Sequence, residues 1–250
     1  MQAALPHRIP SNPGKSSLPG QPRERLIVAL DVSTAEAAHK IVAAVGDSAL
    51  TYKVGMQLYT AEGPQVVRNL VAAGRRVFLD LKYHDIPNTV AAAVREAARL
   101  GVSMLTVHAT GGGNMLRAAV DSARAVNPAL IVVAVSVLTS LDQNDLERIG
   151  IQGTVLDEVL RVSALALESG CQGVVASAHE AAALRKRLGN DFVIVTPGVR
   201  PPGAGHGDQA RVLTPGEAIA AGASYIVVGR PITEAADPAA EARAILDQIG

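Results

Sequence analysis

Between Asp80 and Thr89 the chain reads Asp-Leu-Lys-Tyr-His-Asp-Ile-Pro-Asn-Thr, so Asp80, Lys82 and Asp85 put two carboxylates and an ammonium group into one short run. The residues just before it, Arg76-Val-Phe-Leu, have the composition of a β-strand. A strand alternates its side chains, which directs Phe78, Asp80 and Lys82 to one face and Leu79 and Leu81 to the other. The carboxylate then keeps the neighbouring amine charged against the cost of desolvation. A charged amine held in this way can oppose negative charge that builds up on a reacting carbon and can deliver a proton to it. The same residues also fit an ordinary strand-end ion pair, which is common in proteins. Asp85 follows in a loop where Ile86-Pro87 disfavours helix, and Asn88 is the expected cap of the next helix.

These charges need a frame to position them. From Arg25 onward, short β-branched runs alternate with Ala-rich stretches of helical character, the order expected of a parallel sheet wrapped by helices. The runs are Leu26 to Asp31, Leu50 to Val54, Arg76 to Lys82, Ser103 to His108, Leu130 to Ser136, Gln172 to Ala176, Phe192 to Thr196 and Ser224 to Val228. Ser33-x-x-Glu36 reads as a capping box, Gly63-Pro64 as the opening of the second helix and Asp237-Pro238 as that of the last. Eight strand–helix units predict a (β/α)8 TIM barrel over residues 25–250. An open doubly wound sheet is the alternative, disfavoured because no G-x-G-x-x-G opens the first helix.

A barrel keeps its chemistry at the C-terminal ends of its strands. The polar residues gather there: Asp31 after strand one, Lys53 on strand two, Asp80 and Lys82 on strand three, His108 on strand four, Ser136 on strand five and Arg230 after strand eight. Charges converging over an apolar barrel are costly to desolvate unless they pair or bind a charged ligand, which favours a functional site. His108 reads as a group that fills and hydrogen-bonds the barrel top, and His84 as loop scaffolding.

A second region follows strand seven. In Thr196-Pro-Gly-Val-Arg-Pro-Pro-Gly-Ala-Gly-His-Gly-Asp-Gln209, seven of the eleven residues from Pro197 to Gly207 are Gly or Pro, so the segment is a loop. Long loops in compact domains are commonly functional, with a plain surface loop as the alternative. Strand eight ends Val228-Gly229-Arg230, where glycine permits close backbone approach and arginine supplies a bidentate fork suited to phosphate. Barrels often bind phosphate with the loops after strands seven and eight. Gly229, Arg230 and Gln209 fit that role, while Arg200 fits either a substrate contact or an anchor for the loop.

Composition narrows the rest. The chain has 250 residues, 48% of them hydrophobic, and a formal charge of zero, which suits one globular domain and lacks the basic footprint of a nucleic-acid or anionic-membrane binder. Cys171 is the only cysteine, which excludes a disulfide framework or a cysteine-rich metal site and suits a reducing cytoplasm. No apolar run is long enough to span a bilayer. Residues 1–24 contain five prolines and no signal-peptide core, and are expected to be a flexible extension outside the fold.

The motifs Ala29-Leu-Asp31, Lys53-Val-Gly55, Asp80 to Thr89, Thr106-Val-His108, Thr196 to Arg200 and Val228-Gly-Arg230 together resemble the bacterial type of orotidine 5′-monophosphate decarboxylase. The D-x-K-x-x-D element is shared with sister families; the extended ten-residue string is specific. The resemblance implies a homodimer with shared sites and a reaction without cofactor or metal. In it Lys53, Asp80 and Lys82 would join Asp85 of the neighbouring subunit, and Lys82 would protonate C6 of the substrate. It also implies that Asp31 and Lys53 hold the ribose with help from Thr89, that Ser136 meets the pyrimidine amide edge, and that Gln209, Gly229 and Arg230 bind phosphate. Two alternatives stay open at this point. One is a magnesium-dependent sister, 3-keto-gulonate-phosphate decarboxylase or hexulose-phosphate synthase, in which Glu stands where this chain has Lys53 and its cation-repelling ammonium. The other is a phosphate-binding barrel with no catalysis.

Overall fold

Parallel strands buried on both faces read as nearly continuous apolar runs, and each of the eight runs forms a strand within two residues of its expected ends. The structure, a computed structural model, describes residues 18–201 and 213–250. The strands are β1 (Leu26–Ala29), β2 (Thr51–Gly55), β3 (Arg76–Tyr83), β4 (Met104–His108), β5 (Ile131–Val135), β6 (Gly173–Val175), β7 (Val193–Thr196) and β8 (Tyr225–Val228). They pair in chain order, all parallel, and β8 returns to β1, so the sheet is a closed barrel. The doubly wound alternative is thereby excluded.

Alternation along the strands divides the core in two. Ile27, Phe78, Met104, Val133, Val195 and Val227 fill the barrel interior, while their neighbours Val28, Leu79, Leu105, Val132, Ile194 and Val228 pack outward against the helices. This two-sided burial fixes strand register, because a slip of one residue would exchange the two sets. It therefore also fixes which residues reach the mouth.

Helix boundaries departed from expectation in three places. Thr34, not Ser33, caps the helix Ala35–Val45 by accepting from the Ala37 amide at 3.2 Å. Ser33 is otherwise engaged, since its hydroxyl accepts from Gln57 Nε2 at 2.9 Å. Gly63 and Pro64 do open a helix, Gln65–Ala72, but they also close a separate one, Met56–Glu62, where Gly63 adopts a φ of 66°. Before the helix Pro87–Arg99 the cap is Ile86 rather than Asn88, because Pro87, lacking an N–H, suits the first helical position. Asp237 caps the last helix as expected, its Oδ1 accepting from the Ala240 amide at 2.9 Å.

Of the segment assigned above to an extension, residues 18–24 fall within the described part. Pro22–Arg25 form one helical turn, and Glu24 lies 3.5 Å from Arg76 at the start of β3. No helix among the described residues is long and apolar enough to cross a membrane.

Candidate active site

A cavity of about 570 Å³ opens at the C-terminal ends of the strands. Its floor is the top of the apolar barrel interior, with Phe78, Val135, Val195 and Val227, and its walls carry Asp31, Lys53, Asp80, Lys82, Arg200 and Arg230. The charged residues form an alternating chain. Lys53 Nζ lies 2.6 Å from Asp31 Oδ1 and 4.0 Å from Asp80 Oδ2, and Lys82 Nζ donates to both Asp80 oxygens at 3.0 Å. The side chains of Lys53 and Asp80 are only 12% and 15% exposed, so each charge depends on its neighbours to offset desolvation. Gly55 makes room for this chain: a Cβ there would stand 3.1 Å from Lys53 Nζ and 3.3 Å from Asp31 Oδ1.

Lys82 reaches its place by an irregular route. From Leu79 to Tyr83 β3 advances four residues while β4 advances two, from Leu105 to Val107, so β3 bulges between these pairs. Within the bulge Lys82 has a φ of 51°, and it is the one non-glycine residue at positive φ among the described residues. That left-handed backbone costs an L-residue roughly 1–2 kcal/mol. Strain of this kind persists where surrounding contacts over-determine it, as at active sites. Here the contact comes from Thr106 on β4, whose buried hydroxyl accepts from the Lys82 amide at 2.8 Å and donates to Asp80 Oδ1 at 3.0 Å.

Other expected residues are placed less uniformly. Gly229 and Arg230 both line the cavity, Arg230 opening the short helix Arg230–Thr233. Arg200 also lines it and is 9% exposed, with its backbone amide bonded to Leu213 O at 3.1 Å. Ser136 is buried just above β5, but its hydroxyl donates to Val175 O at 2.8 Å and it is not on the cavity wall. The wall is built instead by Val137, Leu138 and Thr139. Asp85 is exposed, accepts from the Ile86 amide at 2.6 Å, and makes no ion pair with Lys53 or Lys82 among the described residues. Thr89 is exposed on the first turn of the following helix. Gln209 lies outside the described residues.

His108 and His84 stack with ring centroids 5.1 Å apart, and His108 Nδ1 lies 2.8 Å from Thr110 Oγ1. Burial first, then His84 and Lys82, holds the His108 imidazole below its usual pKa and so neutral at pH 7. Neither ring lines the cavity, as a scaffolding role requires.

Two side chains at the site were not singled out from sequence. Thr106 left a signal, because it shares an inward phase with Met104 and His108, so a hydroxyl had to be satisfied inside an apolar barrel. Thr139 left only the polar character of Thr139-Ser140 after strand five.

A closed (β/α)8 barrel with alternating acids and amines at its mouth and two arginines lining the same cavity defines a barrel enzyme built for an anionic substrate. Residues 24–245 match the family described as Orotidine 5′-phosphate decarboxylase / HUMPS family, and the chain belongs to it. It is 52% identical over 233 residues to the orotidine 5′-phosphate decarboxylase of Moorella thermoacetica, covering 91% of this chain and 92% of that one. The enzyme of the same name from Halorhodospira halophila is also 52% identical, over 93% of this chain and 98% of that one. The crystal structure of orotidine 5′-phosphate decarboxylase from Lactobacillus acidophilus superposes with a TM-score of 0.83 at 38% identity, covering 91% of this chain and 99% of that one.

Proposed function

We infer that the chain, as one catalytic barrel over residues 25–250, decarboxylates orotidine 5′-monophosphate to uridine 5′-monophosphate, the closing step of pyrimidine nucleotide synthesis. The observation that carries this reading is the Lys82 ammonium, held by both oxygens of Asp80 beside the cavity. Breaking the bond from C6 to the carboxylate leaves the electron pair in an sp² orbital of C6, where no ring carbonyl can delocalise it. A fixed cation next to C6 stabilises that pair more as the bond lengthens, which is differential binding of the transition state by a preorganised site. Carbon dioxide departs, a proton passes from Lys82 Nζ to C6, and solvent returns a proton to the amine. Asp80 holds the amine in place with both oxygens, and Lys53 and Asp31 are assigned to the ribose hydroxyls.

Phosphate is assigned to Arg230 and Gly229, with Gln209 and Arg200 on the loop after β7. Thr139, on the wall where Ser136 is not, offers its hydroxyl to the pyrimidine edge. Asp85 and Thr89 are exposed, near Ile86, which is 67% exposed, and one strand over from Met56, which is 56% exposed. These apolar groups suit a second copy of the chain. In such a homodimer Asp85 and Thr89 would complete the partner's site. The buried Cys171 thiol fits a cytoplasmic enzyme.

An ultraviolet assay that follows loss of the orotate ring tests the reading. Turnover should persist in excess chelator, because Lys53 presents an ammonium where a divalent cation would need an oxygen ligand. Activity lost to chelator and restored by magnesium would transfer the chain to the sister reactions. Nucleotide binding with no turnover would leave only a binding barrel.

A further inference from the structure

We propose that Thr106 is a positioning residue for the reacting ammonium, acting on Lys82 through both its backbone and its carboxylate partner; this rests on the decarboxylase reading above. A hydroxyl has one proton to donate and two lone pairs with which to accept. The Lys82 amide can only donate, so Thr106 Oγ1 must accept there, at 2.8 Å, and its own proton is free for Asp80 Oδ1 at 3.0 Å. Asp80 in turn accepts from Lys82 Nζ with both oxygens at 3.0 Å. The three groups thus close a ring in which Lys82 is gripped at its amide and at its amine.

The ring explains how an irregular backbone holds a side chain to tolerance. Lys82 sits in a left-handed conformation inside a bulge, where ladder hydrogen bonds to β4 are interrupted. Thr106 replaces the missing ladder partner and at the same time fixes the carboxylate that aims the amine. Thr106 is fully buried and does not line the cavity, so it touches no substrate and acts only through Lys82 and Asp80. A small displacement of a reacting group costs rate far more than it costs binding, because substrate is held mainly by groups elsewhere.

Thr106→Val keeps the shape of the side chain and removes both hydrogen bonds, while Thr106→Ser keeps the hydroxyl. Thr106→Val should lower kcat on the order of 10- to 100-fold, with KM and affinity for uridine 5′-monophosphate within about threefold of the parent, and Thr106→Ser should recover most of the rate. Hydrogen–deuterium exchange should show the Lys82 amide opening faster in the valine variant and not in the serine one. A valine variant with parental kcat, or one whose lost rate merely follows a loss of nucleotide-binding sites, would overturn the proposal. So would a serine variant that recovers nothing. If the parent protein itself fails to turn over orotidine 5′-monophosphate, the functional reading falls separately, and exchange at Lys82 still decides whether Thr106 holds it.

Discussion

At the N-terminal end of the barrel Arg76 meets Glu24 at 3.5 Å, while at the C-terminal end Lys53 and Lys82 are strung along Asp31 and Asp80 at 2.6 to 4.0 Å. The strand carrying Arg76 also carries Asp80 and Lys82, so one element serves both ends. At its start β3 runs in register with its neighbours, Arg76 opposite Thr51 and Phe78 opposite Met104. Past Leu79 it bulges, and Lys82 enters the left-handed region. Regular pairing closes the barrel, and departure from it is confined to the stretch that aims a charge. The lower pair joins a helical turn to the barrel, with Arg76 52% exposed, and nothing there is held against its own preference. Among the upper charges Asp31 is as open as Arg76, but Lys53 and Asp80 are only 12% and 15% exposed, and Lys53 and Asp80 each share two partners in an arrangement that their neighbours sustain.

That contrast can be broken by substitution at either end. The largest effect belongs to the mouth. On the proposed reading, Lys82→Ala should lower turnover by roughly 10⁴-fold, as loss of a proton donor would, and Asp85→Ala by roughly 10³-fold, as loss of a charge lent by a partner subunit would. Mixing the two inactive proteins should restore part of the activity, because one site of each hybrid dimer regains a full set. No recovery despite demonstrated subunit exchange would confine Asp85 to its own chain. Arg230→Ala should come next, with a fall of roughly 100-fold in kcat/KM for the phosphorylated substrate, the worth of a charge-assisted contact. An unchanged kcat/KM would move the phosphate elsewhere. The smallest effect belongs to the other end: Arg76→Ala should leave kcat unaltered and lower Tm by less than about 3 °C, as expected of an exposed ion pair. A large loss of kcat on removing Arg76 would show that the two ends are coupled and that the contrast is false.

The barrel was legible in the sequence because strands buried on both faces leave nearly continuous apolar runs, and eight of them alternating with helical stretches admit few other folds. The juxtaposition of Asp80 and Lys82 was legible from alternation, although the backbone reaches it through a bulge that alternation does not describe. Helix starts were less secure. Ser33 and Thr34 are both good caps by residue type, and the choice between them fell to a contact with Gln57 from a distant part of the chain. Ser136 and Thr139 pose the same problem beyond β5, where the chain leaves the strand and its phase no longer says which hydroxyl faces the cavity. Thr106 escaped notice because threonine is an ordinary strand residue, and only the three-dimensional pairing shows that its hydroxyl has two obligations.

The excess of β3 over β4 between Leu79 and Tyr83 is an even number of residues, which leaves Tyr83 and Val107 on the helix side just as Leu79 and Leu105 are. Parity is therefore conserved across the irregularity, and the loop beyond inherits the phase it would have had in an unbroken ladder. Losing or gaining one residue between Leu79 and Tyr83 would turn Tyr83 from the helix side toward the barrel interior, whereas a change by two would leave it where it is.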